Sequence, residues 1–360
     1  MDDRLALRRS EKWSKYPADV LPAFVAEMDF ALAPAVKTAL HAAIDADDLG
    51  YIGRIDSLLE AFCGFMARRL GWTVDPAQVT LITDVMVGVE ELLLALTSPG
   101  DGVIVNPPVY PPYFVDIPHA GRRVVEVPLL VDGALDVDGI ADAFARGARA
   151  LLLCNPHNPT GRVPTRDELT AIAAAADAHG AWVISDEIHG PLTFPNEEFV
   201  PWLTVSSRGG AVTSASKAFN LAGLKLAMIV TPSVQLPDGL RDKAGYLGTI
   251  AAEAAFREGD AWLDETLATI AANHARLPSL LPPGVTVAVP PQASFLTWLD
   301  CRAAGLGDDP AAVFLERGRV ALETGLRFGS QGAGFARLNV GTTPELLEEA
   351  VRRLEAALTP

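Results

Sequence analysis

Short apolar runs alternate with amphipathic stretches through the first two thirds of the chain. The run over 150–154, Ala-Leu-Leu-Leu-Cys, is apolar at every position, which is typical of a parallel strand covered on both faces. Strands are predicted at 79–83, 102–106, 123–127, 150–154, 181–185, 210–213 and 225–230. Helical spacing of apolar positions predicts helices at 34–46, 55–70, 87–96, 112–119, 137–145, 166–179 and 220–224. This alternation indicates an α/β sheet that binds its ligand at the C-terminal ends of its strands.

The pattern changes after about residue 240. One long helix is predicted over 240–274, followed by strands at 285–289 and 294–300, a helix at 310–322, a strand at 334–340 and a final helix at 344–358. We therefore expect a large α/β domain over 46–245 and a smaller α+β domain over 246–360.

The first 45 residues are predicted to form an N-terminal arm and part of the smaller domain. Aromatic residues and prolines mix over 12–17 and 21–30, a composition that disordered ends rarely have. The arm is expected to dock on another surface, either the smaller domain or a second subunit.

Charge and composition argue against several classes of function. The net charge of −16 opposes binding to nucleic acid, because phosphates would be repelled. Three cysteines are too few and too scattered for a disulfide framework or a zinc site. No membrane-spanning apolar run and no apolar signal core are present. The expectation is a reduced, cytoplasmic protein without a membrane or metal partner.

One lysine stands apart from other charges. Lys217 lies in a run of small, hydroxylated and apolar residues over 213–225, and such surroundings lower a lysine pKa by removing hydration of the ammonium form. A neutral amine can form a Schiff base with an aldehyde, which is the chemistry that pyridoxal phosphate (PLP) needs from a protein. This stretch alone is equally compatible with a snorkelling lysine at a helix start.

Three further polar residues lie at or near predicted strand ends. Asn158 follows the strand over 150–154 in a loop fixed by two prolines and a glycine, Asp186 follows the strand over 181–185, and Arg337 lies on an otherwise apolar strand. Taken singly, Asp186 could cap a helix and Arg337 could be a surface residue or a salt-bridge partner.

The ordered set of Asn158, Asp186, Lys217 and Arg337 resembles the aminotransferase-like superfamily of PLP enzymes, fold type I, over about residues 12–343. The resemblance implies an α/β fold with a mostly parallel sheet in the large domain and a smaller α+β domain. It also implies PLP as cofactor, a small amino-acid substrate and a homodimer with shared active sites.

By this resemblance, Lys217 binds the cofactor covalently. Asp186 pairs with the pyridine nitrogen and keeps it protonated. Asn158 binds the phenolic oxygen of the ring, and His189 either contacts the same oxygen or is structural. Arg337 clamps the substrate α-carboxylate.

The resemblance also names candidates for the phosphate. These are Ser214, Lys225 and the backbone N–H groups of Val85 and Met86 at a helix N-terminus. Relatives usually have glycine where Asp84 stands, and a carboxylate beside a dianion is unfavourable. Asp84 is therefore expected to turn away as a helix cap.

Two tyrosines complete the implied site. Tyr110 is expected to stack on the cofactor ring. Tyr51 is expected to reach the phosphate or the substrate of the neighbouring subunit, which would make the active site depend on a dimer.

Longer motifs resemble the MalY/PatB group of cystathionine β-lyases, also called C–S lyases. They are Lys12-Trp13, 25–30, 108–114, 185–189, 216–224 and 298–302. Glu27, where the group more often has aspartate, and the segment 339–341 depart from its pattern. The resemblance implies β-elimination from an S-substituted L-cysteine, with cystathionine as the leading candidate and transamination by the same residues as the alternative. Some relatives also bind a regulatory protein, but no motif here marks such a surface.

Overall fold

A seven-stranded sheet forms the centre of the computed structural model, which describes residues 3–358. The predicted domain limits at residues 1 and 360 lie outside the described residues. In spatial order the strands are Val79–Ile82, Ala227–Val230, Gly209–Thr213, Trp182–Asp186, Ala148–Cys154, Gly102–Val105 and Arg123–Glu126. Ala227–Val230 is antiparallel to both of its neighbours, Val79–Ile82 and Gly209–Thr213, and the other four strand pairs of this sheet are parallel. The predicted α/β fold with a mostly parallel sheet is confirmed.

The register of two central strands positions the chemistry. Cys154 and Asp186 are paired at the carboxyl ends of adjacent parallel strands, so the loops that follow both strands begin at one edge of the sheet. Both faces of the sheet are packed against helices, and residues 151–153 are wholly buried. This explains why the run is continuously apolar.

The helices of the first part of the chain agree with the apolar pattern to within one or two residues. They are Pro34–Asp45, Asp56–Leu70, Val85–Leu96, Tyr113–His119, Val137–Ala145 and Arg166–His179. The last of these begins with a reciprocal capping box between Thr165 and Glu168 and ends at Gly180 in the left-handed region, the start and stop signals that the sequence carries.

The prediction of an α-helix over 220–224 is wrong, because the structure has a 3₁₀ turn there. A short α-helix, Ala215–Ala218, contains Lys217, and a 3₁₀ turn follows at Ala222–Leu224. Asn220 and Lys225 both have positive φ, 58° and 55°, and residues in that region interrupt a helix.

The single helix predicted over 240–274 is also wrong. A 3₁₀ turn at Arg241–Lys243 precedes two helices, Tyr246–Glu258 and Asp260–Leu280, which meet at Gly259. A Cβ at Gly259 would lie 2.4 Å from the ring of Phe219. This close approach needs a glycine at the junction, although the apolar pattern continues through it.

The remaining elements form the smaller α+β part. Its antiparallel sheet has the order Glu323–Thr324, Phe335–Asn339, Leu296–Asp300 and Thr286–Val287. The helix predicted over 310–322 stops at Gly318, because Arg319 is left-handed (φ 54°) and the strand Val320–Ala321 follows. The helix Pro344–Leu358 is the last element.

The N-terminal arm docks on this part of its own chain. It contains the short helices Asp3–Ala6 and Glu11–Ser14, and its strand Leu21–Pro22 pairs with Val320–Ala321. Lys12 is 2% exposed, and its Nζ lies 2.8 Å from Asp29 Oδ2. A buried ion pair therefore fixes the fold of the arm.

Within residues 3–358 no helix combines the length and the hydropathy needed to cross a membrane. The same residues contain no cluster of His, Cys, Asp and Glu that could hold a metal ion.

Candidate active site

A cavity of about 490 Å³ lies at the carboxyl ends of the central strands. It is lined by all but one of the residues that the sequence analysis selects. These are Val85, Met86, Tyr110, Asn158, Asp186, His189, Ser214, Lys217, Lys225 and Arg337. The exception is Tyr51, which is 99% exposed and lies outside the cavity of its own chain.

Lys217 presents an amine to this cavity. Its Nζ donates to the carbonyl of Ala26 at 3.0 Å. Burial of the ammonium group, with a contribution from Arg337, lowers the pKa of Lys217 to about 8, although Glu27 and Asp186 oppose the shift. A usable fraction of the amine is therefore uncharged near neutral pH, as a nucleophile or a base requires.

Asp186 is a buried carboxylate with two protein donors. The hydroxyl of Tyr113 donates to Oδ2 at 2.9 Å, and the N–H of Ile188 donates to Oδ1 at 3.2 Å. Burial raises the pKa of Asp186 to about 6, while these two hydrogen bonds and the charge of Lys217 oppose the rise. No cation among residues 3–358 forms a salt bridge with Asp186, so its charge is available to a positively charged ligand atom.

Arg337 is a buried cation without an ion-pair partner in residues 3–358. It is 5% exposed. Its two terminal nitrogens donate to Asn158 Oδ1 at 3.1 Å and to the carbonyl of Phe24 at 2.9 Å, and its buried Nε has no partner. The guanidinium lies 5.2 Å from the centre of the Phe328 ring. A buried charge of this kind is costly unless an anionic ligand compensates it.

The side chains of His189 and Tyr110 are held in neutral forms. His189 Nδ1 lies 3.1 Å from Ser294 Oγ, and burial together with the charges of Lys217 and Arg337 lowers the pKa of this histidine to about 3. Burial raises the pKa of Tyr110 to about 12. Both rings line the cavity wall as uncharged groups.

The N-terminus of the helix Val85–Leu96 forms another part of the wall. The N–H groups of Val85 and Met86 belong to its first turn and have no intrahelical acceptor. Asp84 caps the helix by accepting from the N–H of Val87 at 3.1 Å, as expected, but it does not turn away, because it still lines the cavity. The other oxygen of Asp84 lies 3.3 Å from Nζ of Lys225.

Ser214 is engaged in local structure. Its hydroxyl donates to the carbonyl of Leu226 at 2.7 Å and accepts from the N–H of Ser216 at 2.9 Å. To bind a phosphate, Ser214 must exchange its bond to Leu226 for a new one.

The arm forms the remaining wall through a segment of successive backbone acceptors. Every carbonyl from residue 24 to residue 28 accepts a hydrogen bond from a side chain distant in sequence. The donors are, in order, Arg337, Asn339, Lys217, Lys12 with Asn339, and Asn220 with Arg8. The segments around Glu27 and Asn339, which depart from the family pattern, are thus joined by these bonds.

Tyr113 and Cys154, for which the sequence predicts no role, both lie beside Asp186. Tyr113 is wholly buried and bonded to Asp186, and burial raises the pKa of the Cys154 thiol to about 12. The aromatic run over 108–114 was the only signal for Tyr113, since its partner is 73 residues away.

These groups fit PLP. The lowered pKa of Lys217 provides a neutral amine that can react with the aldehyde of PLP. The carboxylate of Asp186 can pair with a protonated pyridine nitrogen, and the free N–H groups at the start of the helix Val85–Leu96 can bind a phosphate. The unpaired guanidinium of Arg337 remains for an amino-acid carboxylate.

Comparisons with known proteins agree with this donor set. The family model for aminotransferase class I and II matches residues 25–354. The chain is 38% identical to the cystathionine beta-lyase of Corynebacterium glutamicum, over 99% of this chain and 98% of the relative. It is 35% identical to cystathionine beta-lyase PatB of Bacillus subtilis, with the same coverage.

A solved structure gives the same fold with its cofactor. Cystalysin from Treponema denticola, which contains PLP, superposes with a TM-score of 0.88 at 27% identity, over 97% of this chain and 95% of that one. The cofactor of this protein is PLP, and the chain belongs to the aminotransferase class I and II family, within the MalY/PatB group of cystathionine β-lyases.

Proposed function

We propose that this protein is a PLP-dependent C–S lyase that cleaves L-cystathionine or a related S-substituted L-cysteine to thiol, pyruvate and ammonia. The observation that carries this proposal is the cavity in which the amine of Lys217 and the unpaired guanidinium of Arg337 face one ligand space. Together they provide a base and a carboxylate clamp, which an amino-acid β-elimination requires.

PLP, when bound, withdraws electrons from the α-carbon of the amino acid. Lys217 holds the cofactor and, once released by the substrate amine, takes the proton from Cα with its Nζ. The pKa of about 8 suits this role, because a base works best when its pKa is near the working pH.

Asp186, held in place by Tyr113 and Ile188, would pair through its carboxylate with the protonated ring nitrogen of the cofactor. Arg337 exchanges its bond to the Phe24 carbonyl for the stronger, two-point interaction with a carboxylate. Asn158, fixed by the same guanidinium, keeps its amide N–H₂ for the phenolic oxygen of the ring. His189 lines the same cavity and is the second candidate for that oxygen.

The phosphate is assigned to the N–H groups of Val85 and Met86, with Ser214 and Lys225 as side-chain donors. Tyr110 is assigned to the face of the ring. The carboxylate of Asp84 is expected to limit the contribution of Lys225, since the two are already paired.

A homodimer is part of the proposal. Tyr51 and two apolar residues close to it in the sequence, Ile44 and Leu49, are 99%, 53% and 60% exposed, and exposed apolar residues that lie together mark an interaction surface. We assign Tyr51 to the phosphate or substrate of the partner subunit. The proposal also includes a cytoplasmic location and three parts of the chain, namely an N-terminal arm over 1–45, a large PLP-binding domain over 46–245 and a smaller domain over 246–360.

The experiment is to incubate the purified, PLP-loaded protein with L-cystathionine in the absence of any keto acid. We expect thiol and pyruvate to appear in equal amounts. If neither product appears, and amino transfer begins only when a keto acid is added, the protein is a transaminase and the lyase assignment is wrong.

A further inference from the structure

A chain of buried hydrogen bonds begins at His189 and continues into the protein behind the active-site cavity. His189 is 3% exposed and lines the cavity, and its Nδ1 lies 3.1 Å from Oγ of Ser294. Ser294, His274 and Thr297 continue the chain, and all three are buried. None of these three lines the cavity, so any effect they have on the chemistry must act through His189.

The backbone of Ser294 is fixed at its N–H and at its carbonyl. The N–H donates to the carbonyl of Leu192 at 3.0 Å, and the carbonyl lies 3.1 Å from Nε2 of His274. Ser294 has a φ of 72°, a conformation that a residue other than glycine keeps only where its surroundings impose it. The hydroxyl of Ser294 is therefore held at Nδ1 of His189.

The hydrogen-bond partners of His274 decide which of its ring nitrogens carries the hydrogen. A carbonyl only accepts, so Nε2 of His274, which faces the carbonyl of Ser294, must be the donor. Its Nδ1 lies 3.0 Å from Oγ1 of Thr297 and accepts from that hydroxyl. Burial lowers the pKa of His274 to about 4, so the ring is neutral and has no second hydrogen to place.

The partners of His189 decide its tautomer in the same way. Burial and the charges of Lys217 and Arg337 keep this ring neutral, so only one nitrogen carries a hydrogen. Within residues 3–358 the hydroxyl of Ser294 has no hydrogen-bond partner except Nδ1 of His189. If Nδ1 carried the hydrogen, this buried hydroxyl would lack an acceptor, which is unfavourable. Donation from Ser294 to Nδ1 satisfies both groups and leaves the hydrogen on Nε2.

We propose that Ser294, held in place by His274, is a positioning residue that keeps the hydrogen of His189 on Nε2. His189 then donates to the phenolic oxygen of PLP, whereas the opposite tautomer would present a lone pair to that oxygen. Asn158 is the first donor assigned to the same oxygen. The inference deepens the proposed function, because it rests on the proposed contact between His189 and the phenolic oxygen.

The first test is the pH dependence of the visible absorption of the PLP-loaded protein. This absorption reports whether the nitrogen that joins PLP to Lys217 carries a proton. A donor at the phenolic oxygen stabilises the negative charge that remains when this proton leaves. Ser294→Ala weakens the donor, so the midpoint of the spectral change should move to higher pH, by about half a unit. His189→Phe removes the donor and should move the midpoint at least as far in the same direction.

A double variant separates positioning by Ser294 from a general loosening of the site. If Ser294 acts through His189, adding Ser294→Ala to His189→Phe should move the midpoint no further. An unchanged midpoint in Ser294→Ala, or a further shift of the same size in the double variant, overturns the inference. An unchanged midpoint in His189→Phe also overturns it, because His189 would then not contact the phenolic oxygen.

The matched control is Thr249→Val, which removes another buried hydroxyl. Thr249 is 7% exposed, its hydroxyl donates to the carbonyl of Tyr246 at 2.7 Å, and it does not line the cavity. This control should leave the spectral midpoint unchanged. A shift equal to that of Ser294→Ala would mean that the midpoint reports lost stability and not the tautomer of His189, and would overturn the inference.

The tautomer itself is measured by nitrogen NMR of the protein with isotopically labelled histidine. The signals of His189 are identified by their absence in His189→Phe. We predict a protonated Nε2 and an unprotonated Nδ1 in the wild-type protein, and a mixture of both forms in Ser294→Ala. A protonated Nδ1 in the wild-type protein would overturn the inference. This measurement needs no turnover, so absence of thiol from L-cystathionine would reject the lyase function and leave the tautomer result unaffected.

Discussion

Two cations expected to bind anions line the same cavity, and their surroundings are opposite. Arg337 is 5% exposed, lies on a strand and has no ion-pair partner within residues 3–358. Lys225 has a side chain that is 57% exposed, lies in a turn and is paired with Asp84. The first cation needs a ligand to compensate its burial, whereas the second is already satisfied by water and a carboxylate.

The difference shows where the binding free energy for the two anionic ends should come from. A charge held in a low-dielectric environment interacts strongly with a partner, and an exposed pair contributes little. Arg337 should therefore dominate binding of the substrate carboxylate. The phosphate should depend on the N–H groups of the helix Val85–Leu96 more than on Lys225.

The largest effect is expected from Arg337→Leu. Removing the buried guanidinium should lower kcat/KM for L-cystathionine by about a hundredfold or more, because a buried charge–carboxylate contact is lost. Steady-state kinetics on the PLP-loaded variant measures this loss. Lys225→Met provides the comparison, and an equal or larger loss there would contradict the contrast between the two cations.

An intermediate effect is expected from Tyr113→Phe, which deletes the hydroxyl that donates to Asp186. Burial raises the pKa of Asp186 to about 6 and this hydrogen bond opposes the rise, so its loss should raise the pKa further. The proposed role of Asp186 needs its ionised form, so activity should fall as pH drops through the pKa of this carboxyl. The acid limb of the kcat/KM profile should therefore move to higher pH, by about one unit.

Tyr110→Phe is the matched control for this shift. It removes a hydroxyl from the same cavity wall, and no hydrogen bond joins Tyr110 to Asp186. An acid limb that moves equally in both variants, or that stays fixed in Tyr113→Phe, would show that Tyr113 does not set the proton affinity of Asp186.

The smallest effect is expected from Asp84→Asn at the exposed pair. Asparagine can still cap the helix through its side-chain oxygen, but the negative charge beside Lys225 is gone. The apo-protein should bind inorganic phosphate and PLP about threefold more tightly, as the loss of one screened charge predicts. Fluorescence titration measures both affinities.

Asp136→Asn controls for the cap itself. Asp136 caps the helix Val137–Ala145 by accepting from Gly139 and does not line the cavity, so its substitution should leave phosphate affinity unchanged. Weaker phosphate binding in Asp84→Asn would mean that Asp84 helps to position Lys225.

Local signals in the sequence predicted much of the fold. The helices Arg166–His179 and Pro344–Leu358 have the predicted bounds, because capping residues, glycine and proline mark many such ends. The prediction of one helix over 240–274 failed at Gly259, where the ring of Phe219 leaves no room for a side chain. Such a contact depends on residues distant in the chain.

For the site too, local sequence signals predicted some features, whereas features that depend on tertiary contacts could not be predicted. The sequence placed Asp186 and Lys217 at strand ends, and both line the cavity. The sequence could not reveal that Arg337 bonds Asn158, 179 residues away, or that Tyr113 bonds Asp186. Tertiary hydrogen bonds carry no periodic signal, and they are the interactions that tune the chemistry.

Reductive trapping tests directly whether Lys217 is the amine that holds the cofactor. The PLP-loaded protein is reduced with borohydride and digested, and the labelled peptide is identified by mass spectrometry. We predict the label on Lys217, whose pKa burial lowers to about 8. A label on Lys225 or Lys15, the other two lysines that line the cavity, or no label on any lysine, would show that Lys217 does not bind PLP.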